Sequence, residues 1–129
     1  MDEAEIESLV QDILSTPEQD KVWHINLVLI SDEIIADIHN KYLHDNTSTD
    51  VISFDLSEDF EEYSEGEIYI SIDHARAQAI EFAVTFKSEL YRLIAHGILH
   101  LIGYDDQTEP DRLTMREQEN KILKNFNLF

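Results

Sequence analysis

Cysteine is absent from the 129-residue chain, which removes disulfide staples, thiolate metal sites and thiol nucleophiles together. The absence suits a reducing compartment. Positive charge is scarce: 9 Lys and Arg stand against 28 Asp and Glu, for a formal net charge of −19. The deficit is uneven, since residues 1–67 hold 19 acids and 2 bases, whereas residues 68–129 hold 9 acids and 7 bases. Nucleic-acid-binding domains ordinarily carry a basic footprint. A polyanion would therefore have to approach the second half, through a bound cation and local bases. The remaining acids read as a solvated surface. No apolar run nears the roughly 20 residues that span a bilayer. Met1-Asp2-Glu3-Ala4-Glu5 is acidic where a secretory leader is basic. The expectation is a soluble, cytoplasmic protein with no membrane partner.

The length fits one domain, residues 1–129, large enough to bury a core unaided. Residues 2–14 carry Ile6, Leu9, Val10, Ile13 and Leu14 at helical spacing, ended by Thr16-Pro17. Val22–Ile30 alternates as a strand, with Trp23, Ile25, Leu27 and Leu29 on one face. Ser31-Asp32-Glu33 caps a helix whose buried stripe is predicted as Ile34, Ile35, Ile38 and Tyr42, with His39 and His44 near its end. Thr49–Phe54 reads as a second strand, and the acidic stretch 55–65 as a hairpin or solvated loop. A third strand covers Glu67–Ile72, after which Asp73 caps a short alanine-rich helix. A longer helix over Phe86–Ile102 is anchored by Leu90, Leu93, Ile94, Ile98 and Leu101. Thr108-Glu109-Pro110-Asp111 opens a last helix carrying Leu113, Ile122, Leu123 and Phe126. The pattern predicts an α+β fold, a small mixed sheet covered by helices with the long helix in the core.

That long helix holds the chemistry. His96 and His100 are four residues apart, so their side chains lie only about 40° apart around the axis. Gly103 follows, suited to the left-handed conformation that ends a helix, and Asp106 comes three residues later. His96, His100 and Asp106 are thus three ligands for one divalent ion, with a fourth position left for water as in catalytic zinc sites. Zinc is the expected metal, although imidazole suits other divalent transition metals equally. Gly97 costs roughly 1 kcal/mol relative to alanine inside a helix, which implies a close approach to its backbone. It is also read as leaving room for a phosphate beside the metal. Glu89 sits two turns earlier on nearly the same face and reads as an exposed surface acid. Support of a ligand or of Arg92 is its alternative role. No side chain is assigned as general acid or base; metal-bound water is the reacting group, with Glu89 and Arg92 as its only candidate supports.

The spacing is similar to that of metzincin peptidases, but their water-activating glutamate directly follows the first histidine, where this chain has Gly97. General acid–base catalysis is worth about 10²–10⁴-fold, so a peptidase reading is weak. A phosphodiester can instead have its charge stabilised by the metal itself.

His96-Gly-Ile-Leu-His-Leu-Ile-Gly-Tyr-Asp-Asp106 resembles the signature of the YbeY-type bacterial endoribonucleases, His-Gly-x-Leu-His-Leu-x-Gly-Tyr-Asp-His. Thr49-Asp-Val-Ile-Ser-Phe54 and Gly66-Glu-Ile-Tyr-Ile-Ser71 resemble two further strands of that family. The resemblance implies an α+β fold, a zinc ion on three side chains, and single-strand-specific RNA cleavage in ribosomal RNA maturation and ribosome quality control. Its implied partners are single-stranded ribosomal RNA and the small ribosomal subunit, with no DNA. Two departures stand out. Asp106 replaces the third histidine, with Asp105 as a competing carboxylate, and Leu43 stands where the family carries an arginine that can contact phosphate. Lys41, His44 and Arg92 are the candidate substitutes. The alternative function is a ribosome-assembly protein with a structural metal.

Overall fold

The computed structural model describes residues 2–15, 22–43, 49–58 and 63–129. The element order is α1 (Glu3–Leu14), β1 (Val22–Ile30), α2 (Asp32–Leu43), β2 (Val51–Asp55), β3 (Tyr63–Ser71), α3 (Ile72–Glu81), α4 (Phe86–Leu101) and α5 (Glu109–Asn125). Among the described residues the strands form one mixed sheet in the order β1-β3-β2. β1 runs parallel to β3 from Val22 opposite Tyr63 to Ile30 opposite Ser71. β2 runs antiparallel, from Val51 opposite Ile70 to Asp55 opposite Gly66. The α+β expectation holds. No helix among these residues is long and apolar enough to cross a membrane.

Strand alternation divides β3 between two faces. Gly66, Ile68 and Ile70 are buried beneath α4, while Glu67 and Tyr69 turn toward α2. Helix α4 is the core of the molecule: Leu90, Tyr91, Leu93, Ile94, Ala95, Ile98 and Leu99 are all buried, and α1, α3 and α5 pack around it. Two glycines set how closely it lies on the sheet. A Cβ at Gly97 would come within 2.8 Å of Ile68 Cγ2 and 3.1 Å of Ser53 Oγ, and one at Gly66 within 2.6 Å of Leu101 Cδ1. Ser53 Oγ donates to the Gly97 carbonyl at 2.9 Å, clamping β2 to the helix. The close approach inferred at Gly97 is therefore real, but it is the sheet that approaches. The reading of Gly97 as room for a phosphate is corrected.

Several local expectations change for identifiable reasons. β3 starts four residues earlier than its apolar run, because Tyr63–Gly66 pair with Val22–Ile25. Small residues inward and acids outward left no hydrophobic signal there. Ile34 and Tyr42 are 49% and 57% exposed, since α2 alone covers its face of the sheet and buries only a narrow line at Ile35 and Ile38. Leu113 is 62% exposed, and Met115 takes the core position instead. Ser71, not Asp73, caps α3 by accepting from the His74 N–H, at 3.1 Å. Asp73 reaches across to accept from the Asp32 N–H at 2.9 Å, satisfying an open donor at the start of α2. The predicted helix end at Thr16-Pro17, and His44, lie outside the described residues.

Two substitutions test this account. A Gly97→Ala change forces a methyl against the β-branched Ile68, and urea unfolding should show a loss of about 1–3 kcal/mol. Ala83 ends α3 with φ of 55° while Val84 N–H bonds back to the Ala79 carbonyl at 3.0 Å. That left-handed conformation costs a non-glycine residue about 1–2 kcal/mol. Ala83→Gly should therefore raise stability by about 0.5–1 kcal/mol after glycine's greater chain entropy is offset.

Candidate metal centre

The C-terminus of α4 builds the site. Ile102 is the cap residue and Gly103 has φ of 112°, so the chain leaves in a left-handed turn. The Tyr104 N–H bonds to the Leu99 carbonyl at 2.9 Å and the Gly103 N–H to the His100 carbonyl at 3.2 Å, the two bonds of a Schellman motif. This reversal sends residues 104–106 back along the face that carries the histidines. Arg112 holds the returning loop, donating from Nη1 to the carbonyls of Asp106 and Gln107 at 3.2 and 3.3 Å.

The result is a convergence of His96, His100 and Asp106, with one potential ligand atom from each lying within 4.8 Å of the others. His100 Nε2 is 3.2 Å and His96 Nε2 3.4 Å from Asp106 Oδ2. Tetrahedral zinc with bonds of about 2.0–2.1 Å places its ligand atoms about 3.3–3.4 Å apart, so these separations suit a single ion. Asp105 is not part of this cluster, and its Oδ1 accepts from the Asp106 N–H at 2.7 Å. The two imidazole rings meet nearly edge to face, at 81° and 4.7 Å between centroids.

A second layer orients the first. His96 Nδ1 lies 2.8 Å from Glu119 Oε2, which fixes the ring and turns Nε2 toward Asp106. Glu119 is buried, and its Oε1 accepts from Arg92 Nη1 at 3.0 Å while Arg92 Nη2 donates to Asn120 Oδ1 at 2.8 Å. Arg92, considered above as a phosphate contact, is thus committed to holding the ligand's partner. Burial favours the neutral form of His96, but the hydrogen bond and charge of Glu119, joined by Asp106 and Asp50, outweigh it and raise the pKa. A divalent cation at Nε2 would satisfy the same surplus of negative charge.

Sequence reasoning missed Glu119 and Asn120. The signal was present: Met115, Glu119, Ile122 and Leu123 form one buried stripe on α5, with an acid at an apolar position. Glu89 was misjudged in the other direction. It is buried, only 4% exposed, and lines a groove running from His96 and Asp106 between α4 and α5. Burial pushes its pKa up against the pull of Arg92. Of the remaining candidates, Lys41 lies over the Tyr42 ring at 5.2 Å, on the sheet face opposite α4. Leu43 and His39 border a separate groove beside His100 and β2.

Removing the carboxylate behind His96 should loosen the metal without removing a ligand. In Glu119→Gln, zinc affinity measured by competition with a chelating dye should fall about 10–100-fold, toward the lower end because shape is kept.

Comparison with known proteins agrees with the residue-level picture. The family model for Endoribonuclease YbeY matches residues 1–127. The chain is 43% identical over 104 residues to Endoribonuclease YbeY of Flavobacterium psychrophilum, covering 81% of this chain and 73% of that one. It is 37% identical over 128 residues to the protein of the same name from Fusobacterium nucleatum, covering 94% and 79%. The fold is similar to the solution structure of TM1509 from Thermotoga maritima, with a TM-score of 0.64 and 26% identity over 96% of this chain and 83% of that one. Because the family model spans all but the last two residues, the chain belongs to the Endoribonuclease YbeY family.

Proposed function

We propose that residues 1–129 act as one metal-dependent endoribonuclease domain that cuts single-stranded RNA, in ribosomal RNA maturation and ribosome quality control on the small subunit in the cytoplasm. The observation that carries this reading is the convergence of His96, His100 and Asp106 at the head of a solvent-open groove, in a chain of this family. Zinc is the metal that best suits two imidazoles and a carboxylate at these separations. A bound divalent ion there supplies a Lewis acid for a phosphoryl oxygen and lowers the pKa of coordinated water toward neutrality.

The chain's own residues do the rest. Glu119 holds the His96 ring in one orientation, Arg92 holds Glu119, and Arg112 holds the loop that delivers Asp106. The peptidase alternative loses further ground. Position 97, where metzincins carry their glutamate, is packed on Ile68 and has no room for even a methyl group without movement.

Zinc-loaded protein should cleave a labelled single-stranded RNA. A chelator should abolish the cleavage and added zinc restore it. His100→Ala should lower the rate by at least about 100-fold, since such an ion supplies several kcal/mol. Equal cleavage by wild type and variant would assign the activity to a contaminant. Small-subunit binding without turnover would leave an assembly protein with a structural metal.

A further inference from the structure

The groove that begins at the metal ligands continues toward the N-terminal end of α4, bounded by α5, the end of α3 and Asp50. Two side chains along it make no hydrogen bond among the described residues. Glu89 is more than nine-tenths buried as a residue, and its carboxyl group makes no direct hydrogen bond among the described residues, feeling Arg92 and Arg116 only through their charge. Arg116 is exposed on the opposing helix and likewise makes none. The other groove cations are committed, Arg92 to Glu119 and Asn120, and Arg112 to the carbonyls of Asp106 and Gln107. Asp50 is also engaged, accepting from Gln78 Nε2 at 3.3 Å.

Trp23 Nε1 is the buried side-chain polar atom left without a partner among the described residues, so the Glu89 carboxylate oxygens open onto the groove and are met there by water. A ligand lying along the groove displaces that water and must bring a donor in its place. Proton transfer at the metal is too distant a role. Seven residues separate Glu89 from His96, about 10 Å along the helix, whereas a group that moves a proton must lie within about 3 Å of it. A carboxylate also repels phosphate. Along an RNA backbone, the donor nearest a phosphate is the ribose 2′-hydroxyl, the group by which proteins separate RNA from DNA.

We propose that Glu89 and Arg116 form a nucleotide subsite flanking the metal centre, in which Arg116 binds a backbone phosphate and Glu89 accepts a hydrogen bond from the adjoining 2′-hydroxyl. The proposal rests on the endoribonuclease reading and adds a determinant of sugar specificity to it. Glu89 is here a positioning and specificity residue, outside the reacting atoms.

The test uses the zinc-loaded full chain and a set of single-stranded RNAs, each with one 2′-deoxy nucleotide, scanned outward from the cleaved bond. At one flanking position wild type should lose about tenfold or more in kcat/KM, the usual worth of a hydrogen bond to a charged group. Glu89→Leu should lose a similar factor on all-ribose RNA and become indifferent to that one deoxy substitution. Glu89→Gln, which keeps a carbonyl acceptor, should retain part of the discrimination. Arg116→Ala should raise KM, lower the salt dependence of binding by about one phosphate contact and leave sugar discrimination intact. Elemental analysis should find zinc unchanged in all three variants. A wild-type deoxy penalty that persists in Glu89→Leu, or a penalty that follows base identity instead of sugar, overturns the proposal. Anisotropy binding of RNA and DNA oligomers of one sequence separates the two readings. Absence of cleavage with an RNA preference that Glu89→Leu removes would defeat the nuclease reading alone, and no RNA preference in wild type would defeat the subsite.

Discussion

The contact between helix α4 and the sheet at Gly97 governs the rest of the molecule. With only a hydrogen at that position, the helix settles onto Ile68, Val51 and Ser53, and the Ser53 hydroxyl bonds the Gly97 carbonyl. His96 and His100 flank Gly97 in sequence, so the seating of Gly97 fixes the direction in which both imidazoles leave the helix. Leu101, one turn on, is seated the same way over Gly66. The two strand segments Thr49–Phe54 and Gly66–Ser71 therefore have a mechanical meaning. Ser53 and Gly66 are where the sheet receives the metal helix, and Ser71 caps the helix that packs beside it.

Negative charge is the second organising fact. Asp50, Glu89, Asp106 and Glu119 all line the groove at the metal centre, in a chain whose formal charge is −19. Such a site holds a cation readily and a polyanion poorly until the cation is in place. Three arginines balance the acids, and they divide the work. Arg92 and Arg112 are bonded into the frame, and Arg116 stays exposed on the groove wall. Within residues 68–129 these three arginines match Glu89, Asp106 and Glu119 in number, and Asp50 is the groove acid that comes from the acidic first half.

Much of the fold was legible in advance because its signals are periodic. The alternation of β1 and the helical spacing in α1 and α4 each describe a face in contact with the core. The failures occurred where that relation breaks. The start of β3 buries serine and glycine and exposes acids, which reads as a loop. Helix α2 carries more apolar residues than its one-sided packing can bury, so Ile34 and Tyr42 remain in solvent. On α5 the buried stripe includes an acid, and a search for apolar spacing chose Leu113 over Met115.

The sequence by itself determined the cluster of His96, His100 and Asp106 that could hold a metal ion, because the three are close along the chain and their geometry follows from one helix and the turn that ends it. It also weakened the peptidase reading, through the single residue at position 97. Tertiary structure alone decided the partners of those ligands. Glu119 and Asn120 reach Arg92 and His96 from a helix more than twenty residues away, and Glu89 became a buried acid only when α5 and the end of α3 closed over it. Local spacing encodes contacts made within a turn or two of helix. Burial and charge pairing between elements depend on which faces meet, and that is settled only when the whole core packs.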